Sequence, residues 1–587
     1  MQDGSPILGT TSVVKAAVKI AADGSKPQQD DGSIKETLIS LIISFVMALV
    51  FRSYVVEAFV IPTGSMAPTL LGAHMLFKSD QSGYEWPVNP WYHDRRGFEY
   101  PFPIQGPPTG DSPNGAPIVT DPMSTSRMNP TTPARRAPSG TGYMPVPPTR
   151  AGYSPFPEDK RARSGDRILV FKFLYELFPP KRYDVVVFKN PELSDQNFIK
   201  RLIGLPNEQI WIAGGDIFAR PITKRAPGES DPAGDWKIQR KPHPVQEALW
   251  RPIYSSEYAP LSTERDGRSW FIAPWMSEQW KSDDHRVYRC DSSDESTLRW
   301  DTDNWPLWDF VPYNEFPLAA KRAFPVSDLR LRCAIKPDSA GLEAAATIRA
   351  RGHEFQAFIH GSTAEVRMRT ITGGEDGSAP TSVGEWSTLA TGAMKHGLEA
   401  GRATNIEFWH FDQTLELYED GKLIAHGEYD WGPSERLKFA TGESADRYME
   451  IRPIENPLSD PATYAPDRPT VWWTFKGAAT TLYRVGLDRD IYYEVPNSPP
   501  ALAALPARPA TLGPDQFFCL GDNSPQSKDG RLWTDVDPWV ADTIDREAGI
   551  VPRELMLGKA FFVYFPAPYR VGDLPIVPDI GRMRFIR

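Results

Sequence analysis

Phe59-Val60-Ile61-Pro62-Thr63-Gly64-Ser65-Met66-Ala67-Pro68-Thr69-Leu70 is the stretch that organises the rest of this chain. A serine follows a glycine among apolar residues, and Pro62 and Pro68 restrict the backbone on either side. A hydroxyl pinned in this way suits a nucleophile, which must be held rigidly yet reached by a substrate backbone. Alone, the stretch also reads as a tight Gly-Ser turn. A second stretch, Asn197-Phe198-Ile199-Lys200-Arg201-Leu202-Ile203-Gly204-Leu205-Pro206-Asn207-Glu208, sets Lys200 among strand-forming residues. Burial there would disfavour the ammonium, lower its pKa and leave an amine able to take a proton. The alternative is a solvated strand lysine. A third stretch, Gly521-Asp522-Asn523-Ser524-Pro525-Gln526-Ser527-Lys528-Asp529-Gly530-Arg531, reads alone as a polar or cation-binding loop. Its Asp spacing does not fit the calcium loop D-x-D-x-D-G.

Just upstream of the serine, Leu38–Val56 reads LISLIISFVMALVFRSYVV, with Arg52 as its only charge. About 20 helical residues cover about 30 Å, the thickness of a bilayer core. Arg52 lies near the distal end, where it can snorkel to the interface. Tyr54–Ala58 makes a poor signal-peptide cleavage site, and the run is long for a buried core helix. The reading is a transmembrane helix over residues 34–56. Lys15, Lys19, Lys26 and Lys35 precede the apolar run Leu38–Val56, which places a tail of residues 1–33 in the cytoplasm and the rest on the outer face.

The chain has 587 residues, a net charge of −10, 58 Pro and 3 Cys. That length suggests several modules. The acidic, well-mixed charge supplies no basic face for nucleic acid. Cys290, Cys333 and Cys519 exclude a disulfide framework and a zinc ribbon, leaving room for one Cys290–Cys333 bridge. Residues 79–164 are Pro-rich without apolar periodicity and read as an extended or disordered excursion. Its aromatics (Trp86, Trp91, Tyr92, Phe98, Tyr100, Phe102) are candidates for local docking. Order resumes at Gly165. Ile168–Phe171, Asp184–Phe188, Phe198–Leu205 and Gln209–Ile212 read as strands, and Gly214-Gly215-Asp216 as a turn. Within a large insertion over 218–510, residues 325–455 hold short alternating runs, and Asp420-Gly421 marks a hairpin. The pattern predicts a β-sandwich. Residues 495–515 read as a Pro/Ala-rich return linker.

Asn405–Gly427, NIEFWHFDQTLELYEDGKLIAHG, resembles part of a laminin-G or lectin-like jelly roll. More informative is the order anchor, S-M-x-P-T-L, G-D-x-(I/V)-x-V, V-V-V-F, K-R-x-I-G-L-P, G-D-N-x-x-x-S-x-D-x-R. In that order the motifs resemble the bacterial type I signal peptidases, membrane-anchored serine proteases with a Ser/Lys dyad. The resemblance covers 34–78, 165–217 and 515–570. It implies a mostly β catalytic fold assembled from 57–78, 165–217 and 511–587, interrupted by the two insertions. It implies that Ser65 is the nucleophile and Lys200 the general base. Ser527 would orient the lysine, and Thr63 would share the oxyanion hole with the Ser65 N–H. Asp529 and Arg531 would brace the site as an ion pair, with Asp522 and Asn523 as further support. Phe59, Ile61, Leu70 and Ile199 would line shallow substrate pockets. The sequence departs from the family at Thr63, at Asn207-Glu208 and at Ser524-Pro525, none of which removes a dyad residue.

The implied chemistry needs no His, no cofactor and no metal. G-x-S-x-G and H-E-x-x-H are absent. The expected activity is removal of signal peptides from exported preproteins after small-x-small sites, at the outer face of the bacterial cytoplasmic membrane. The expected partners are those preproteins and the lipid bilayer, with a glycan or protein ligand for the sandwich and no nucleic acid. The alternatives are a repressor-type Ser/Lys self-cleaving peptidase and a catalytically impaired relic whose sandwich is a surface binding module.

Overall fold

In a computed structural model, the chain is described over residues 32–79, 81–89, 121–124, 163–222, 236–265, 268–269, 271–314, 323–373, 381–452, 456–571, 574–577 and 579–587. It divides into two compact units, Met1–Val56 and Glu57–Arg587. In the first, an α-helix spans Gly32–Tyr54, as expected for a run of Leu, Ile, Phe, Met and Ala with no internal Gly or Pro. Its described side chains, from Lys35 to Met47, are all exposed. Among the described residues, no helix is long and apolar enough to cross a membrane.

The second unit is mostly β. The three separated peptidase-like segments meet in one eight-stranded sheet. Its order is Val56–Val60, Arg167–Phe171, Met556–Phe565, Val185–Asn190, Leu193–Gly204, Gln516–Leu520, Val551–Pro552, with Arg584–Phe585 pairing Met556–Phe565. Alternation sends Ile168, Val170, Val185 and Val187 into a core shared with Ile61, Met66 and Leu70, and a bulge between Ala560 and Phe562 brings both Ala560 and Val563 to it. A four-stranded sheet, Ala510–Thr511, Glu208–Ala213, Asp216–Pro221, Lys237–Ile238, lies alongside.

The sandwich is made of two further antiparallel sheets. One is seven-stranded, ordered Arg251–Ser255, Thr480–Arg489, Leu329–Pro337, Thr404–Phe411, Thr414–Glu419, Lys422–Glu428, with Val287–Cys290 also on Thr480–Arg489. The other is eight-stranded and centres on Ser296–Trp300, Thr470–Lys476, Glu343–Ala350, His353–His360 and Thr363–Thr372. Leu329, Leu331, Phe408 and Leu417 from the first sheet share one core with Ile348, Phe355, Val366 and Trp473 from the second.

The sandwich is wider than the predicted 325–455, reaching from Arg251 to Arg489. Back-to-back aromatics concealed a strand beyond the predicted range, one that lies within the second sheet. In Thr470–Lys476, Val471, Trp473 and Phe475 are buried, while Trp472 faces the other way. The predicted linker at 495–515 is instead packed: Ala501, Ala503, Ala504, Leu505 and Leu512 are buried, and Ala510–Thr511 pairs with Glu208–Ala213. Cys290 and Cys333 are both buried and free, so the Cys290–Cys333 bridge is not formed. Part of the Pro-rich excursion is ordered: Met75–Lys78 pairs with Glu85–Val88, burying Trp86 and Val88. Trp91, Tyr92, Phe98, Tyr100 and Phe102 lie outside the described residues.

The Asp420-Gly421 turn adopts φ of 47° and 77°, the left-handed conformation that its residue types favour. Among the described residues, nothing lies within 4 Å of where a Gly421 side chain would begin. Gly421→Ala should therefore cost only backbone strain, about 1–2 kcal/mol. Phe408→Ala, at the sandwich core, should cost about 3–5 kcal/mol. Denaturant unfolding of the two variants checks that order.

Candidate active site

Lys200 sits on the strand Leu193–Gly204, opposite Val186 of the neighbouring strand. Successive strand residues point to opposite faces, so Lys200 and Arg201 diverge. Lys200 Nζ donates to Ser65 Oγ at 2.7 Å. The lysine is 3% exposed, and its ammonium lies 5.3 Å from the centre of the Phe198 ring. Burial lowers its pKa to about 8; Asp529 opposes the fall and Arg531 adds to it. The sequence could not choose between a solvated and a buried lysine, and the structure gives the buried one.

Ser65 lies in a short turn closed by Ala67 N–H to Gly64 O and Leu70 N–H to Met66 O, both 2.9 Å. The chain around it is fixed from the second segment. Ile61 N–H donates to the Asp166 carbonyl, and Leu71 N–H donates to Asp166 Oδ2 at 2.9 Å. A Cβ on Gly165 would lie 1.7 Å from Ile61 O, so that position takes only glycine. Thr63 is exposed, two residues before Ser65. Asn523 holds the turn from the third segment: its N–H donates to Ser65 O at 3.0 Å and its Nδ2 to Gly64 O at 2.9 Å.

Two buried ion pairs brace this assembly. Asp529 and Arg531 pair through Nε to Oδ1 at 2.9 Å and Nη2 to Oδ2 at 2.8 Å. Burial pushes the Asp529 carboxyl up, but Arg531 and the Gly521 N–H outweigh it and hold the group below the ordinary range. The second pair was not recognised in the sequence. Arg201, on the face opposite Lys200, grips Asp522 through Nε to Oδ1 at 2.7 Å and Nη2 to Oδ2 at 2.6 Å. Thr69 Oγ1 also donates to Asp522, at 2.6 Å.

Ser527 is brought to the site but forms no bond to the lysine. It is buried, and among the described residues its Oγ has no hydrogen-bond partner. A Cβ on Gly521 would lie 2.2 Å from Ser527 Oγ and 2.4 Å from Ser65 O, so the absence of a side chain there admits both. Of the residues expected to line pockets, Ile61 and Leu70 are core residues with almost no exposure, while Phe59 and Ile199 remain partly accessible. Burying Ile61 and Leu70 anchors the serine turn to the sheet.

Residues of the large insertion also reach the site, without any signal in the motifs. Asn314 and Asn523 exchange side-chain amide hydrogen bonds of 2.7 and 2.8 Å. Arg251 Nη2 donates to Thr69 Oγ1 at 2.7 Å. Away from the site, Asp216, Asp328 and Asp412 could together offer metal ligands, their oxygens lying within 4.8 Å of one another. Each already faces a cation: Arg436 at 2.6 Å, Arg351 at 2.8 Å and Lys241 at 2.5 Å, respectively.

Removing one partner of a fully buried pair strands the other charge. Arg201→Met should thus cost about 3–5 kcal/mol of stability. Combining it with Asp522→Asn should recover part of that loss in thermal or denaturant unfolding.

The family Signal peptidase, peptidase S26, matches residues 157–231. A "Signal peptidase I" of Leptolyngbya laminosa is 34% identical over 87 residues, covering 13% of this chain and 42% of that protein. A "Probable signal peptidase I-1" of a Synechocystis species is 38% identical over 61 residues, covering 9% of this chain and 31% of that protein. The chain thus spans less than half the length of these curated relatives. Among solved structures, a carbohydrate binding module CBM66 from Bacillus subtilis aligns with 37% of this chain and 97% of its own, at 8% identity and a TM-score of 0.20. The sequence matches thus show a likeness to the type I signal peptidases of family S26 over part of a chain that carries large extra regions.

Proposed function

We propose that this protein is a membrane-bound serine endopeptidase that removes N-terminal signal peptides from exported preproteins. The observation that carries the reading is the 2.7 Å contact between Ser65 Oγ and a buried Lys200 whose pKa is lowered to about 8. Neutral Lys200 takes the Ser65 proton as the oxygen attacks the scissile carbonyl. The Ser65 N–H and the Thr63 hydroxyl receive the developing oxyanion. The lysine returns its proton to the leaving amine, and water activated by the same amine then hydrolyses the acyl-enzyme. Ser527 Oγ is the hydroxyl left to orient Lys200 once the Ser65 proton has gone.

The partly accessible faces of Phe59 and Ile199 suit a substrate with small side chains near the cut. The apolar run within Gly32–Tyr54 serves as a single-pass anchor of the bacterial cytoplasmic membrane, with the N-terminus in the cytoplasm and the catalytic residues on the outer face. The sandwich, read as a lectin-like jelly roll, takes a glycan or protein ligand.

Ser65→Ala and Lys200→Met should each lower cleavage of a preprotein by several orders of magnitude while the fold is kept. Mass-spectrometric mapping of the product gives the cut site, and full activity of either variant refutes the dyad. A base works only when neutral. Activity should therefore rise with pH through about 8, the lowered value of Lys200, and level off above it. A flat kcat/KM profile from about pH 5 to 9 would contradict Lys200 as the base.

A further inference from the structure

Pro312–Asn314, a single turn of the large insertion, packs directly on the serine turn. Tyr313 is buried and donates from its hydroxyl to Ala73 O at 2.8 Å. Its ring fills the space beside Gly64, where a Cβ would lie 2.2 Å from Tyr313 Cε1. The next residue, Asn314, meets Asn523 amide to amide. Asn314 Nδ2 donates to Asn523 Oδ1 at 2.7 Å, and Asn523 Nδ2 donates to Asn314 Oδ1 at 2.8 Å.

This exchange uses the acceptor and one of the two amide hydrogens of Asn523. The second hydrogen goes to Gly64 O at 2.9 Å. Gly64 O, which also accepts from the Ala67 N–H, selects the NH2 side of Asn523, and the paired bonds to Asn314 hold the Asn523 side chain in place. In a trans peptide, C=O and N–H point in opposite directions. Fixing the Gly64 carbonyl therefore fixes the direction of the Ser65 N–H.

We propose that Asn314 is a positioning residue for catalysis, acting through Asn523 and Gly64 O to aim the Ser65 N–H at the oxyanion. The proposal rests on the reading of Ser65 as nucleophile. It makes a residue of the insertion part of the support of the dyad. A spacer or a tethered binding module would have no need of such a contact.

The test uses the full chain in detergent, with a peptide substrate carrying a small-x-small site. Asn314→Ala should lower kcat by about 10- to 100-fold, somewhat less than outright loss of an oxyanion donor. KM should stay within about twofold, because the ground-state carbonyl gains little from the donor. Lys200 is untouched, so the pH midpoint should not move. Affinity for a substrate-like peptide aldehyde, whose adduct places an oxygen at the oxyanion position, should fall in step with kcat. If Asn314 acts through Asn523, adding Asn314→Ala to Asn523→Ala should change kcat by less than about twofold.

Asn314→Leu fills the same volume without polar atoms and serves if the alanine variant folds poorly. The proposal is overturned if the folded variant keeps wild-type kcat. It is also overturned if the two substitutions act additively, or if kcat falls with no matching loss of aldehyde affinity. Undiminished cleavage by Ser65→Ala would instead refute the underlying dyad.

Discussion

A lysine amine serves as a base near neutral pH only if its charged form is made costly. Here the cost is set by packing: Lys200 is almost fully removed from water between Phe198 and the serine turn, and the group it contacts at hydrogen-bond distance, Ser65, is a neutral hydroxyl. An acidic partner in contact would restore the ammonium and remove the condition on which the proposed role of Lys200 rests. The nearest carboxylate effects come from Asp529 and Asp522, and each is already committed to an arginine. The two ion pairs therefore do more than brace the loop. They keep carboxylates that the fold requires from neutralising the desolvation on which the amine depends.

The strand alternation is what makes this compatible with a Lys-Arg pair in sequence. Lys200 and Arg201 are adjacent but face opposite sides of the sheet, one toward Ser65 and the other toward Asp522. One side holds an amine whose charge burial disfavours, and the other a cation that its carboxylate partner keeps charged. Arginine is suited to the second task because its guanidinium stays protonated and forks onto a carboxylate. Exchanging the two residue types would fail on both faces.

Much of this was legible in the sequence because the residues concerned are constrained locally. β-branched and aromatic runs marked the strands at Ile168–Phe171 and Asp184–Phe188, and Asp420-Gly421 marked its hairpin. The motif residues Ser65, Lys200, Asp529 and Arg531 do come together. What escaped were features that depend on distant neighbours. Nothing near Asn314 announces its pairing with Asn523, and nothing near Arg201 announces its pairing with Asp522. Ile61 and Leu70 looked able to line pockets, but apolar residues flanking a nucleophile serve equally to anchor its turn, and burial decided for the core. The aromatic doublet Trp472-Trp473 hid a strand because both faces of the sheet carry large rings.

The bond from Asn523 to Gly64 joins positions 459 residues apart. Such a long-range closure forms late, since the ends of a long loop meet only after the structure between them has condensed. Domains emerge from the ribosome in chain order at about 5–20 residues per second. The serine turn is thus made early but held in its final geometry only after both insertions and the third segment are in place. For tens of seconds the unfinished chain carries Ser65 without the contacts that fix it. The activity proposed for Ser65 would thus have to wait for the whole fold.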